Sequence, residues 1–80
     1  MSEFRDRPDN SDVVTNYDRR CFKLYVMLID ADDYGAEWDD VYERAFGKKI
    51  GKDRERARSQ YEAHLERARW MTNVGYRDLL

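Results

Sequence analysis

The amino-acid sequence predicts an all-α protein, a compact three-helix bundle with helices at about residues 11–31, 36–46 and 53–73. Apolar residues recur at steps of three and four along these ranges, which is the spacing of one face of a helix. One proline and four glycines among 80 residues are too few for the frequent turns of an all-β sandwich. An aromatic content of 14% argues against a wholly disordered chain.

The length of the chain allows one domain only. Eighty residues fall within the usual size of a single domain and can bury one small core. Residues 1–10 are mostly polar and contain the turn-forming segment 7–10, so we expect a short, flexible and disordered N-terminal tail there. Residues 11–80 then form a single helical domain.

The first predicted helix, residues 11–31, carries an apolar stripe. The stripe consists of Val14, Tyr17, Cys21, Leu24 and Leu28. A polar residue at 10–12 can cap the start of this helix, and the capping-box spacing of Thr15 and Asp18 offers a second start. A short buried strand over residues 22–29 is the alternative. We favour the helix because the periodicity continues upstream and no partner strand is evident.

Glycines separate the predicted helices. Gly35 ends the first helix, Gly47 ends the second, and Gly75 is placed to cap the third. The apolar face of the second helix consists of Trp38, Val41, Tyr42, Ala45 and Phe46. The stripe of the third helix consists of Ala57, Tyr61, His64, Leu65, Ala68, Met71 and Thr72. Burying these faces against one another makes a helix bundle.

Charges are nearly balanced over the whole chain but are segregated along it. With 15 basic and 17 acidic residues the net charge is −2, which provides no overall attraction to nucleic acid or anionic membranes. Between Asp30 and Glu43, however, there are seven acidic residues and no basic residue. We expect an acidic docking face for a basic protein partner. The residues of this face are Asp32, Asp33, Asp39, Asp40 and Glu43. The alternative is that these acids stabilise the start of the second helix and keep the protein soluble.

A basic segment follows the acidic one. A basic connector that leads into a helix N-terminus can bind phosphates, so a nucleic-acid-binding surface is an alternative hypothesis. Its residues are Lys48, Lys49, Lys52, Arg54, Arg56 and Arg58. This hypothesis is less favoured because the arginines spread around the helix and glutamates lie among them. That pattern is typical of a solvated face with weak ion pairs.

Trp70 lies opposite the apolar stripe of the third helix and close to Arg67 on the helical wheel. Because tryptophan and arginine dominate binding hot spots, we expect Arg67 and Trp70 to form a second protein contact. The alternative is that the first helix or residues 76–80 cover Trp70. A second copy of the chain would provide such cover as well, in a homodimer that buries the apolar second half of the first helix.

The sequence offers no set of residues for catalysis, metal binding or cofactor binding. Cys21 and His64 are the only cysteine and histidine, which excludes an intramolecular disulfide and a zinc site. Residues 30–41 begin like a calcium-binding EF-hand loop but have Tyr34 and Val41 where that loop needs oxygen ligands. We therefore expect a protein that is not an enzyme and that needs no metal and no cofactor.

These observations favour a function in binding. We expect a small, acidic, non-enzymatic inhibitor or adaptor that acts through charged surface patches on a protein partner in a host or regulatory complex. An anti-CRISPR or anti-restriction protein of a phage or mobile element is one such protein. A small helical nucleic-acid-binding transcriptional regulator is the alternative. The longest apolar run, residues 21–29, is about half as long as a membrane-spanning helix needs, so we expect a cytoplasmic protein without membrane contact.

Overall fold

Helices form the regular secondary structure of the computed structural model, which describes residues 4–73. Helix α1 covers Asn16–Arg20, α2 covers Phe22–Asp33, α3 covers Trp38–Phe46 and α4 covers Arg54–Asn73. No strand occurs within the described residues. The predicted all-α fold with three principal helices is confirmed. The predicted cap at Gly75 lies outside the described residues.

The region predicted as a single first helix consists of the short helix α1 and the longer helix α2. The capping box starts α1: the Asp18 N–H donates to Thr15 Oγ1 at 3.1 Å, and the Thr15 N–H donates to Asp18 Oδ2 at 2.9 Å. Cys21, with φ −94° and ψ 11°, separates α1 from α2. The apolar periodicity continues through residue 21 and did not predict this boundary.

Residues 11–15 are not helical, although the first helix was predicted to begin at residue 11. The Arg67 guanidinium of α4 donates to the carbonyl groups of Ser11, at 2.6 Å, and of Val13, at 3.0 Å. A helix starting at residue 11 would pair the Ser11 carbonyl with the Thr15 N–H. Asp18 binds that N–H instead, so the capping box and Arg67 together exclude the earlier start.

Two glycines end helical segments as the sequence predicts. Gly35 has φ 80° and Gly47 has φ 71°, a left-handed conformation that favours glycine. Helix α3 starts at Trp38 with Asp39 and Asp40 in its first turn, where acidic side chains face the positive end of the helix dipole. The turn 34–37 therefore connects α2 to α3 directly.

The core lies where α2, α3 and α4 meet. Its buried apolar side chains are Tyr17, Cys21, Leu24, Tyr25, Leu28, Val41, Tyr42, Phe46, Ala57, Tyr61, Ala68 and Met71. These residues include four of the five members of the stripe predicted for the first helix, and the fifth, Val14, is half-buried. The other side of α2 exposes Phe22, Val26 and Met27, each by 44–47%. The almost uniformly apolar part of α2 is therefore covered on one side only.

The N-terminal segment 4–10 has no helix, but its first residues contact the bundle. The Phe4 ring packs edge-on against the Phe46 ring with centroids 5.3 Å apart. Asp6 pairs with Arg56 of α4 at 2.6 Å. The sequence did not predict these contacts, because a single apolar residue in a polar segment has no periodicity.

Leu28→Ala should lower the free energy of unfolding by about 2–5 kcal/mol, because Leu28 is fully buried and the truncation leaves a cavity between the helices. Urea unfolding followed by circular dichroism measures this loss. The matched control is Met27→Ala at the exposed neighbouring position, which should cost about 0.5 kcal/mol or less. Equal losses for the two variants would contradict the assignment of the buried face of α2.

Candidate functional site

A buried ion pair joins α1 to α4. Asp18 is fully buried and the Arg67 side chain is 5% exposed. Arg67 Nη2 lies 2.7 Å from Asp18 Oδ2, and Arg67 Nε lies 3.0 Å from Asp18 Oδ1. The Tyr25 hydroxyl also donates to Oδ1, at 2.8 Å. Burial by itself would raise the pKa of Asp18, but the hydrogen bonds from Arg67, the Thr15 N–H and Tyr25 outweigh burial and hold this pKa below its ordinary value.

The prediction of Arg67 as a surface contact is corrected by this ion pair. The guanidinium is buried and donates to Asp18 and to two backbone carbonyls of residues 11–13. The helical wheel placed Arg67 off the apolar stripe of α4. It could not show that a carboxylate 49 positions earlier in the chain would bury the guanidinium.

Trp70 is half-buried and lies next to Arg67. The Arg67 guanidinium stacks over the indole ring, 3.8 Å from its centroid. Trp70 also lines a cleft of about 420 Å³ together with Arg67 and residues 7–10 of the N-terminal segment. Trp70 is also one of the half-buried apolar side chains that pack against the buried core. The predicted cover by residues 76–80 lies outside the described residues.

His64 is the centre of a second buried network. A carbonyl only accepts, so His64 Nδ1 donates to the Gln60 carbonyl at 2.7 Å, and the Tyr17 hydroxyl donates to Nε2 at 2.7 Å. The Tyr17 oxygen in turn accepts the Arg5 N–H at 2.8 Å, and the Gln60 side-chain amide donates to the Arg5 carbonyl at 2.8 Å. The neutral histidine thus helps to hold the N-terminal segment on the bundle. Burial lowers the pKa of His64.

Most residues of the predicted acidic docking face are paired within the chain. Asp32 and Asp33 both bind Arg69 of α4, at 2.5 Å and 2.9 Å. Asp39 binds Arg54 at 2.7 Å, and this hydrogen bond lowers the pKa of Asp39. Glu43 accepts the Ile50 N–H at 3.2 Å. Among the predicted acids, Asp40 is the one whose carboxylate makes no ion pair or hydrogen bond within residues 4–73, since its backbone N–H, and not its side chain, bonds to Asp39.

The predicted basic surface is also largely neutralised. Arg54 and Arg58 both lie over the Trp38 ring, 5.0 Å and 5.4 Å from its centroid, and each contacts an acid. Arg56 pairs with Asp6. Lys48, Lys49 and Lys52 lie around a cleft of about 370 Å³ at the start of α4. The structure therefore does not gather the six basic side chains into one free phosphate-binding track.

An open groove lies between the end of α2 and α3, and we call it the α2–α3 groove. It has a volume of about 510 Å³. Its lining consists of Met27, Asp30, Ala31, Tyr34, Ala36, Asp40, Val41 and Arg44. Tyr34 is 93% exposed and Met27 is 46% exposed. Asp30 and Asp40 have no ion-pair partner in the described part of the chain, in contrast to the neighbouring Asp32 and Asp39.

Sequence reasoning included Asp40 of this groove and missed Met27, Asp30 and Tyr34 as site residues. Tyr34 carried a usable signal, since a large aromatic residue next to Gly35 in a polar turn lies outside any apolar stripe. Asp30 carried none, because the sequence does not tell a paired acid from an unpaired one. The arrangement of the groove suits binding, with apolar contact area beside unneutralised negative charge.

The chain matches no protein-family model, no curated protein and no solved structure. Function is therefore inferred from the residues and their geometry alone. Within residues 4–73, no helix is both long and apolar enough to cross a membrane. Over the same range, no group of three or more histidine, cysteine, aspartate or glutamate side chains is placed to hold a metal ion.

Asp18→Asn should lower the free energy of unfolding by about 3–5 kcal/mol, because it leaves the Arg67 guanidinium buried without a countercharge. The control Asp32→Asn removes an exposed pair with Arg69 and should cost about 1 kcal/mol or less. Thermal and urea unfolding measure the loss of stability in each variant. Comparable losses in the two variants would show that the buried pair carries no special share of the stability.

The stability of the protein should fall as the pH is lowered from 7.5 to 5.5. The folded-state pKa of His64 is lowered, so below about pH 6.5 the unfolded chain binds the proton more readily than the folded chain. The loss should approach 1.4 kcal/mol per pH unit at most. Urea unfolding across this range measures the slope. His64→Gln, which retains one donor and one acceptor but does not titrate, should abolish it, and a slope that persists in this variant would assign the effect to another group.

Proposed function

We propose that this protein is a small non-enzymatic inhibitor or adaptor that binds a protein partner through the α2–α3 groove. The observation that carries the proposal is the contrast between this groove and its surroundings. Acidic residues on either side are paired with arginines of α4, whereas Asp30 and Asp40 are left unpaired beside exposed apolar surface. Unpaired charge next to exposed apolar groups is a composition suited to protein recognition.

Tyr34 and Met27 support a protein as the ligand. Aromatic residues and methionine are enriched at protein interfaces, and tyrosine provides contact area at a small cost in conformational entropy. Tyr34 lies in the turn that joins two helices of the bundle, so its backbone is held while its side chain is exposed. An isolated exposed apolar residue needs no functional explanation, but these two line the same groove.

A more specific form of the proposal is an anti-defence protein of a phage or mobile element, of the anti-CRISPR or anti-restriction type, that acts in the cytoplasm. The acidic segment between Asp30 and Glu43 supports this form. An acid-bearing surface attracts the basic surfaces with which nucleic-acid-processing proteins hold phosphates.

The alternative, a nucleic-acid-binding transcriptional regulator, has weaker support. Three lysines lie around the cleft at the start of α4, namely Lys48, Lys49 and Lys52. Asp6 and Asp53 line the same cleft, and Arg56 at its edge is paired with Asp6. Acidic groups at this position oppose phosphate binding, so we place this alternative second.

Reversing the charge of the groove with Asp30→Lys and Asp40→Lys together should reduce capture of the partner at least tenfold, because the substitutions replace attraction with repulsion. The measurement is quantitative mass spectrometry of proteins that co-purify with tagged variants from cells that express them. The control is Asp12→Lys with Glu55→Lys, which makes the same change of net charge at exposed sites outside the groove.

Wild type and control should enrich the same protein, and the groove variant should lose it. Equal enrichment by all three proteins would place the binding surface elsewhere. Retardation of duplex DNA at low salt, with an affinity that falls steeply as salt rises, would favour the regulator alternative instead.

A further inference from the structure

We infer that the α2–α3 groove receives a basic, amphipathic segment of the partner, which seats an apolar side chain on the groove floor and places lysine or arginine beside Asp30 and Asp40. This inference rests on the proposed function and specifies the chemistry of the ligand at the same site. Three features of the groove lead to it, namely its shape, its charge and the position of Tyr34.

The shape of the groove follows from two facing helical stripes. Met27 and Ala31 lie four positions apart on α2, and Tyr34 follows directly after the end of α2. Asp40, Val41 and Arg44 lie on one side of α3. Val41 is buried and Ala31 is half-buried, so these two residues form the floor, while the other lining residues are exposed. Because Ala31 and Val41 are small, the floor leaves room for one or two apolar side chains of a bound segment.

The negative charge of the groove favours a bound segment that is positively charged. Asp30 extends from α2 and Asp40 from α3, so the groove carries a carboxylate on each side. Arg44 is the single cation in the lining. Binding would bring both carboxylates closer to low-dielectric surface, and unpaired charges in that position cost free energy unless the ligand supplies countercharges. A basic ligand meets this requirement, and an acidic or wholly apolar ligand does not.

A second copy of this chain fits the groove less well. The arginines of its basic segment at positions 54, 56 and 58 are already paired with acids of their own chain. The lysines at positions 48, 49 and 52 share their cleft with Asp6 and Asp53. Ile50, the apolar residue between these lysines, packs against the core of its own chain and is not available as an anchor. A symmetric contact of the groove with itself would bring like charges together. The occupant is therefore assigned to a different protein.

Short synthetic peptides test this inference by NMR titration of the isotope-labelled full-length protein. The first peptide combines leucine and lysine at helical spacing, the second replaces leucine by serine, and the third replaces lysine by glutamate. The first should give saturable shifts of the amide signals of Met27, Tyr34 and Asp40, and the other two should bind at least tenfold more weakly.

Two matched variants separate groove binding from general charge attraction. Asp30→Asn with Asp40→Asn should weaken the leucine–lysine peptide at least tenfold. Asp12→Asn with Glu55→Gln, which removes the same charge outside the groove, should leave its affinity within about twofold. Equal weakening by both pairs, or shifts that do not cluster around the groove, would overturn the inference.

Failure of this inference is distinguishable from failure of the proposed function. With p-benzoylphenylalanine at position 34, light-induced cross-linking to the captured partner identifies the segment that lies on the groove. A basic segment with an apolar anchor supports the inference. An acidic or uncharged segment would overturn the inference but leave the proposed function standing. Cross-linking to a second copy of the chain, with a dimer mass in light scattering, would overturn the inference in favour of self-association.

Discussion

The buried pair of Asp18 and Arg67 is the interaction on which the arrangement of the chain depends. Two charges removed from water are tolerated only when every lone pair and N–H finds a partner. Asp18 accepts from Arg67, Tyr25 and its capping-box N–H, and Arg67 also binds the backbone of residues 11–13. One residue of α1 thereby sets the start of its helix, the path of the segment before it and the position of α4. Among residues 4–73, no buried side-chain nitrogen or oxygen lacks a hydrogen-bond partner.

Arginines of helix α4 neutralise several of the acidic side chains on the protein surface. These arginines extend towards the acidic segment and towards the N-terminal segment, where Arg69 binds two aspartates and Arg56 binds Asp6. These exposed pairs contribute little to stability. Their effect is on the surface charge, because the pairs of Arg69 with Asp32 and Asp33 reduce the attraction of the acidic segment for an outside partner. The α2–α3 groove lies beyond the reach of these pairings, which is why its two carboxylates carry the functional proposal.

Patterns local in sequence predicted the helices well and the polar interactions poorly. The burial of the stripe from Tyr17 to Leu28 was predicted correctly, because apolar periodicity depends only on residues that are close in sequence. The break at Cys21 was missed because it interrupts the helix without interrupting the apolar pattern. Arg67 was placed on the surface because its acidic partner is remote in sequence, and the apolar pattern of α4 gives no sign of that partner.

By itself, the sequence determined the helical class, the single core and the separation of acidic from basic segments. Each of these is a property of composition or of spacing along the chain. The tertiary structure alone decided which acids are neutralised, that Arg67 is internal and that Tyr34 and Met27 line one groove with Asp30 and Asp40. The physical reason is that ion pairs and grooves depend on distances between residues of different helices. Those distances are set by the packing of the helices and not by the order of the residues.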